Sequence, residues 1–169
     1  MIMKAKLIVE GREFPIEIQD PELQKLLTPN KKTGYERVHS GDYYYYVTST
    51  TSLTACQEDN AKHDNEYYEY ANYYSDERVA RNNARADKLM RQLRRFAVEN
   101  MIEELKWDTS CYKWCIFYDY HEQTLCCHQD VENRIFGAIY FDSKSKARKA
   151  IETFHDELIW YFTEYKDSL

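Results

Sequence analysis

The chain has 169 residues, a net charge of −6 and sixteen tyrosines, against only four glycines and three prolines. That length suffices for one domain with a real core, or for two small lobes sharing an element. No apolar run approaches the ~20 residues needed to span a bilayer, and the opening MIMKAKLIVE lacks a cleavable signal pattern. Five cysteines, an odd number, fit reduced thiols rather than a disulfide framework, so a cytoplasmic protein is expected.

Residues 4–18, KAKLIVEGREFPIEI, alternate apolar and polar on both sides of Glu10-Gly11, which predicts a β-hairpin. Pro15 has no ladder donor and places its strand at an edge or pairs it on one side. Asp20-Pro21 opens a helical turn over PELQKLL, with Asp20 as cap and Pro21 at the first helical position. Residues 28–33 form a polar connector. GYERV and YYYYVTST predict a second hairpin about Ser40-Gly41-Asp42. Residues 48–64, TSTTSLTACQEDNAKHD, are the most loop-like stretch, and EYYEYANYY at 66–74 reads as a last strand before the long helix or as extended coil.

Residues 75–104 contain neither Pro nor Gly and read as one helix of about 30 residues, about 45 Å long. Ser75 is the expected N-cap, with Asp76 and Glu77 at the positive end of the helix dipole. Val79, Ala86, Met90, Leu93 and Ala97 fall on one apolar stripe, with Leu89 and Phe96 on its flank. A stripe of that length leaves room for a homodimer. Beyond the helix, Asp108-Thr109-Ser110 breaks the pattern. CYKWCIFYDY and TLCCHQDV then read as a hairpin across His121-Glu122-Gln123, and RIFGAIYF as a third strand. Ser143 starts a second amphipathic helix with Ala147, Ala150, Ile151, Phe154 and Leu158 on its apolar side. The expected fold is α+β: N-terminal antiparallel β-hairpins in a mostly β lobe (1–74), a long central amphipathic helix (75–106) and a C-terminal β-β-β-α lobe (107–169).

Charge is unevenly spread. From Arg78 to Arg95 there are seven basic residues and one acid, Asp87, which leaves 16 basic against 28 acidic residues elsewhere. A basic bar on an acidic body argues against general nucleic-acid binding and suits an acidic surface that approaches a basic partner. Arg78, Arg81, Arg85, Lys88 and Arg95 gather on the face opposite the apolar stripe. Arg forks suit phosphates, so this face is either an RNA- or anion-binding bar or a solvated face neutralised by the protein's own acids. Tyr67, Tyr68 and Tyr70 are the aromatic candidates beside it, since Tyr and Arg dominate interface hot spots.

No catalytic pattern emerges. Cys111, Cys115, His121, Cys126, Cys127 and His128 invite a zinc reading, but Cys111 and Cys115 on one strand lie about 13 Å apart, too far for one ion. Neither a metal nor another cofactor is expected. The cysteines sit mid-strand with no glycine beside them, which disfavours an activated nucleophile. The acidic pairs Glu58-Asp59 and Glu103-Glu104 read as solvated surface, and the four glycines form no phosphate loop. The expectation is a protein that is not an enzyme.

KKTGYERV (31–38), YEYANYYSDERVARNNAR (68–85), IYFDSKSKARKAIETFHDELIWYF (139–162) and the opening hairpin KLIVEGREFPIEI together resemble a group of small acidic proteins of phages and prophages of Gram-positive bacteria. The motifs are structural (turns, caps and apolar stripes), and the cysteine-rich hairpin departs from the group's pattern. The resemblance implies an accessory protein in the cytoplasm of an infected host. Such proteins include anti-CRISPR and other anti-defence inhibitors, so the implied partner is a bacterial defence protein or ribonucleoprotein, a Cas9-type effector foremost, with RNA contact through the Arg helix. A nucleotide-sequestering protein and a virion or replication accessory protein are the alternatives.

Overall fold

The computed structural model describes residues 3–9, 12–23, 32–101, 105, 107 and 111–168 of a mixed α+β protein. By contact the chain divides into Met1–Lys32 and Thr33–Leu169, and each part is described by itself.

In the first part, β1 (Met3–Val9) and β2 (Arg12–Ile18) pair antiparallel, with Lys6 opposite Pro15 and Leu7 opposite Phe14. Among the described residues this sheet has two strands, so the proline nitrogen, which has no hydrogen to give, leaves no third-strand bond unmade. Asp20 Oδ1 accepts from the N–H groups of Glu22 (2.8 Å) and Leu23 (3.3 Å), capping the helical residues 21–23. The Glu10-Gly11 turn, the rest of PELQKLL and most of the 28–33 connector lie outside the described residues.

In the second part, β3 (Tyr43–Val47) pairs antiparallel with β4 (Leu53–Gln57). GYERV is therefore not the hairpin partner of the tyrosine run. Gly34 has φ +92, and the Glu36 carboxylate takes the N–H of Gly34 at 3.0 Å and the Ser75 hydroxyl at 3.0 Å. That irregular turn prevents a strand there. The partner comes instead from the stretch that reads as loop, because Leu53, Thr54 and Cys56 fit a half-buried pleat despite their polar neighbours.

Residues 66–74 differ as well: α1 (Lys62–Glu69) is helical, and Tyr74 alone joins the hairpin, exchanging backbone bonds with Tyr45 at 2.8 and 2.9 Å. Sheet propensity of the tyrosines loses to a cap. The Asp64 side chain accepts the Ala61 N–H at 2.9 Å, closing the first helical turn.

The central helix α2 (Glu77–Glu99) has 23 residues. Asp76 rather than Ser75 caps it, Oδ1 accepting from Val79 N at 2.9 Å. Asn100 closes the other end, donating its side-chain amide to the Phe96 carbonyl; residues 102–104 and the Glu103-Glu104 pair lie outside the described residues. The buried face is Val79, Ala80, Ala84, Ala86, Leu89, Leu93 and Ala97, so Leu89 is central to the stripe rather than on its flank.

β5 (Lys113–Asp119), β6 (Thr124–Asp130) and β7 (Tyr140–Phe141) form an antiparallel sheet in the order β6-β5-β7. The turn between β5 and β6 is the expected one, but the third strand is two residues long because 133–139 runs as a loop with Gly137 at φ +79. The expected Asp108-Thr109-Ser110 break lies outside the described residues. Ser143 Oγ accepts from Lys146 N to cap α3 (Lys144–Thr153), and α4 (His155–Thr163) follows. The single expected helix is broken at Phe154 (φ −116, ψ 23). Thr153 Oγ1 donates to the Lys149 carbonyl at 2.7 Å, a local bond that competes with the helix ladder.

α2 straddles two cores. Leu89, Leu93 and Ala97 pack with Phe141, Ala147, Ala150 and Leu158, whereas Val79 and Ala80 pack with Tyr74, Tyr35, Tyr45, Val47 and Leu53. Gly34 meets the second: a Cβ on it would stand 2.7 Å from Val79 Cγ2. No helix among the described residues is long and apolar enough to cross a membrane.

Candidate functional site

Arg81, Arg85 and Lys88 follow one another by four and three residues, so they share a face of α2. They form one wall of an open groove of about 1140 Å³, whose other wall is the α3–α4 corner from Glu152 to Glu157, with Thr51–Leu53 at one end. Two of these cations are already engaged. Arg85 forks onto Glu157, Nε to Oε2 at 2.8 Å and Nη2 to Oε1 at 3.1 Å, and its guanidinium lies 3.9 Å over the buried Trp160 ring. Arg81 is bonded to Glu77 one turn back. Lys88 is exposed and makes no ion pair among the described residues. With Glu152, Asp156 and Glu157 opposite, the groove carries both signs of charge.

The other predicted residues do not join it. Arg78 is exposed on the first turn of α2, and Arg95 reaches Glu99 at 3.8 Å. Arg81, Arg85 and Arg95 are thus each paired with an acid, while Arg78 and Lys88 make no ion pair among the described residues. Tyr67 stacks on Tyr46 with ring centroids 4.3 Å apart, Tyr68 meets Tyr73 edge-on at 5.4 Å with Arg37 above it, and Tyr70 is exposed beyond the end of α1.

A second constellation lies in the stretch that reads as loop. Glu58, expected on the surface, is 1% exposed. Its oxygens accept from Arg37 Nη2 (2.9 Å) and Nε (3.1 Å), the Tyr73 hydroxyl (2.8 Å) and Asn60 N (2.9 Å), so all four acceptor positions are filled. The Arg37 hydrogen bonds, against the opposing effect of burial, hold its carboxyl below the usual range. Asp64 is also fully buried and accepts from the Tyr44 hydroxyl (2.7 Å) and the N–H groups of Asp59 (3.1 Å) and Ala61 (2.9 Å). Burial would raise it, but those donors prevail and set it at about 2. Burial first, then the neighbouring Asp64 carboxylate, pushes the Tyr44 hydroxyl far up.

These carboxylates have no apolar context in the sequence, and only the Asp59-Asn60 turn before a helix, with Asp64 three residues after Ala61, hints at a capped and buried acid. The cysteine-rich hairpin stays dispersed. Cys115 is buried opposite His128, Cys127 is half-buried, and burial raises both the Cys115 and Cys127 thiols. Among the described residues, one group could hold a metal ion: Cys56, His63 and Asp64. The chain matches no family model, no curated protein and no solved structure.

Proposed function

We propose that the chain acts by binding rather than by catalysis, as a phage-encoded inhibitor of a bacterial defence complex, with a Cas9-type effector or its guide-RNA complex as partner. The observation that supports this reading is the two-signed groove between α2 and the α3–α4 corner. Its walls are helices fixed by a shared core, so the charges are held in place before a partner arrives. A protein segment bearing both charges meets Lys88 and Arg81 on one side and Glu152 and Asp156 on the other, and mismatched partners face like charge.

The test is a DNA-cleavage assay with purified Cas9-type ribonucleoproteins at rising concentrations of the full chain. Inhibition is expected near stoichiometry, weaker at high salt, and reduced at least tenfold by the double substitution of Lys88→Glu with Arg81→Glu. Absence of inhibition across the effectors refutes the partner; inhibition unchanged by the double substitution refutes the groove.

Three cations on one helix face also favour a second reading, capture of a phosphate-bearing nucleotide signal. Thermal shift with cyclic dinucleotides and ADP-ribose derivatives decides it: a saturable rise in Tm that the same double substitution abolishes supports capture, and a flat response across the set rejects it.

A further inference from the structure

Cys56 near the end of β4 and His63 and Asp64 in the first turn of α1 bring three different donor atoms to one point. His63 Nε2 lies 3.0 Å from Asp64 Oδ1 and 3.7 Å from Cys56 Sγ, and all three atoms fall within 4.8 Å of one another. Around a tetrahedral zinc, with Zn–N and Zn–O at about 2.0–2.1 Å and Zn–S at about 2.3 Å, such ligands stand about 3.3–3.6 Å apart. The two measured separations bracket that spacing. From this convergence we propose that Cys56, His63 and Asp64 form a divalent-metal site of the zinc class, independent of the groove.

The surroundings suit an ion. A zinc ion binds His63 as the neutral imidazole through Nε2, Asp64 through Oδ1 and Cys56 as thiolate, the thiol proton leaving to solvent. Asp64 is already aimed: the Tyr44 hydroxyl holds Oδ1, and the Asp59 and Ala61 N–H groups hold Oδ2. This is the outer-shell support that a carboxylate ligand requires. The contacts of Cys56 Sγ to His63 and to the Gln57 carbonyl (3.8 Å) are long, so the sulfur has room to close on the ion. The His63 side chain is 50% exposed, which gives an ion a path from solvent. Thiolate, imidazole and carboxylate together select zinc over magnesium or calcium, which prefer all-oxygen sets. Three protein ligands leave a fourth position for water or a group from a partner.

The site reached the fold by an unusual route, since the cysteines most crowded in sequence are those that do not converge. Cys126 and Cys127 are adjacent on β6 and face opposite sides of the sheet. The lone Cys56 gains its partners because β4 and the first turn of α1 are joined by a tight turn, with Asn60 at φ +59.

The test is spectroscopic titration of the reduced full chain with Co²⁺, followed by displacement with Zn²⁺. One equivalent of cobalt is expected to give a thiolate-to-cobalt charge-transfer band with tetrahedral d–d absorption, both erased by zinc. Cys56→Ser is expected to remove the charge-transfer band, and His63→Ala to weaken binding by about 100-fold or more, beyond the loss typical of an outer-shell change. Both side chains are partly exposed, so far-UV circular dichroism stays that of the wild type. Absence of a thiolate band in the wild type, or a band that survives Cys56→Ser, overturns the site.

Discussion

Replacing Glu58 by Gln keeps the shape of the side chain and removes its charge. One of the two oxygens becomes an amide donor. Either Arg37 Nη2 and Asn60 N, or Arg37 Nε and the Tyr73 hydroxyl, then face a donor instead of an acceptor. Breaking a buried ion pair costs about 3–5 kcal/mol when the remaining charge is trapped. Arg37 is not trapped, since its side chain is 31% exposed and can turn to water, which places the cost at the lower end, about 3 kcal/mol. For a chain of this size that lowers Tm by about 6–12 °C. Because the folded carboxyl lies below its ordinary value, its contribution is complete above the unfolded pKa of about 4.3 and is lost as pH falls through the folded value. Thermal melts followed by circular dichroism between pH 7 and pH 2 measure both parts: a wide gap between wild type and Glu58→Gln at pH 7, narrowing in acid. A gap under 2 °C at pH 7, or one that stays constant into acid, refutes the reasoning.

Gly34→Ala combines a left-handed backbone with a Cβ 2.7 Å from Val79 and is expected to lose about 2–4 kcal/mol, whereas Gly41→Ala, at φ +97 with open space around it, loses about 1–2 kcal/mol; urea midpoints separate the two. Leu89→Ala, at 1% exposure between α2 and the sheet core, is expected to cost about 2–5 kcal/mol at unchanged m-value. Burial pushes the Tyr74 and Tyr165 hydroxyls up to about 12, so stability is complete below the ordinary tyrosine pKa of about 10 and falls as pH rises towards 12. Ultraviolet titration is expected to show a late step that coincides with unfolding; a single step near 10 in the folded protein contradicts it.

Elements with local signals were legible in the sequence. The β1–β2 alternation, the Asp20 cap, the His121-Glu122-Gln123 turn and the Ser143 cap all depend on residues close in the chain, and each forms where its chemistry places it. Pairings that depend on distant residues were not legible. β4 hides among threonines and serines because its pleat is only half-buried, and α1 hides because tyrosines favour sheets unless a cap intervenes. Of the candidate site, the periodicity that sets Arg81, Arg85 and Lys88 on one helix face was visible. The pairing of Arg85 was not, because Glu157 lies 72 residues away. Glu58 was invisible as a buried acid for the same reason, since Arg37 and Tyr73 come from other parts of the chain, and Asp64 gave only the local hint of its bond to Ala61 N.

The straddling of two cores by α2 also has a consequence for synthesis on the ribosome. The bonds of the tyrosine-rich region close over short spans: Arg37 to Glu58, Tyr44 to Asp64 and Asn72 to Val47 are 20 to 25 residues apart. Closing such loops is entropically cheap, and that region can assemble as soon as the first turns of α2 supply Val79 and Ala80. The second half of the helix must wait, because Phe141, Ala147, Ala150 and Leu158 are made last. Until they emerge, Leu89, Leu93 and Ala97 are bare on a nascent chain, and a pause in translation between residues 100 and 140 leaves that surface open to chaperones or to other nascent chains.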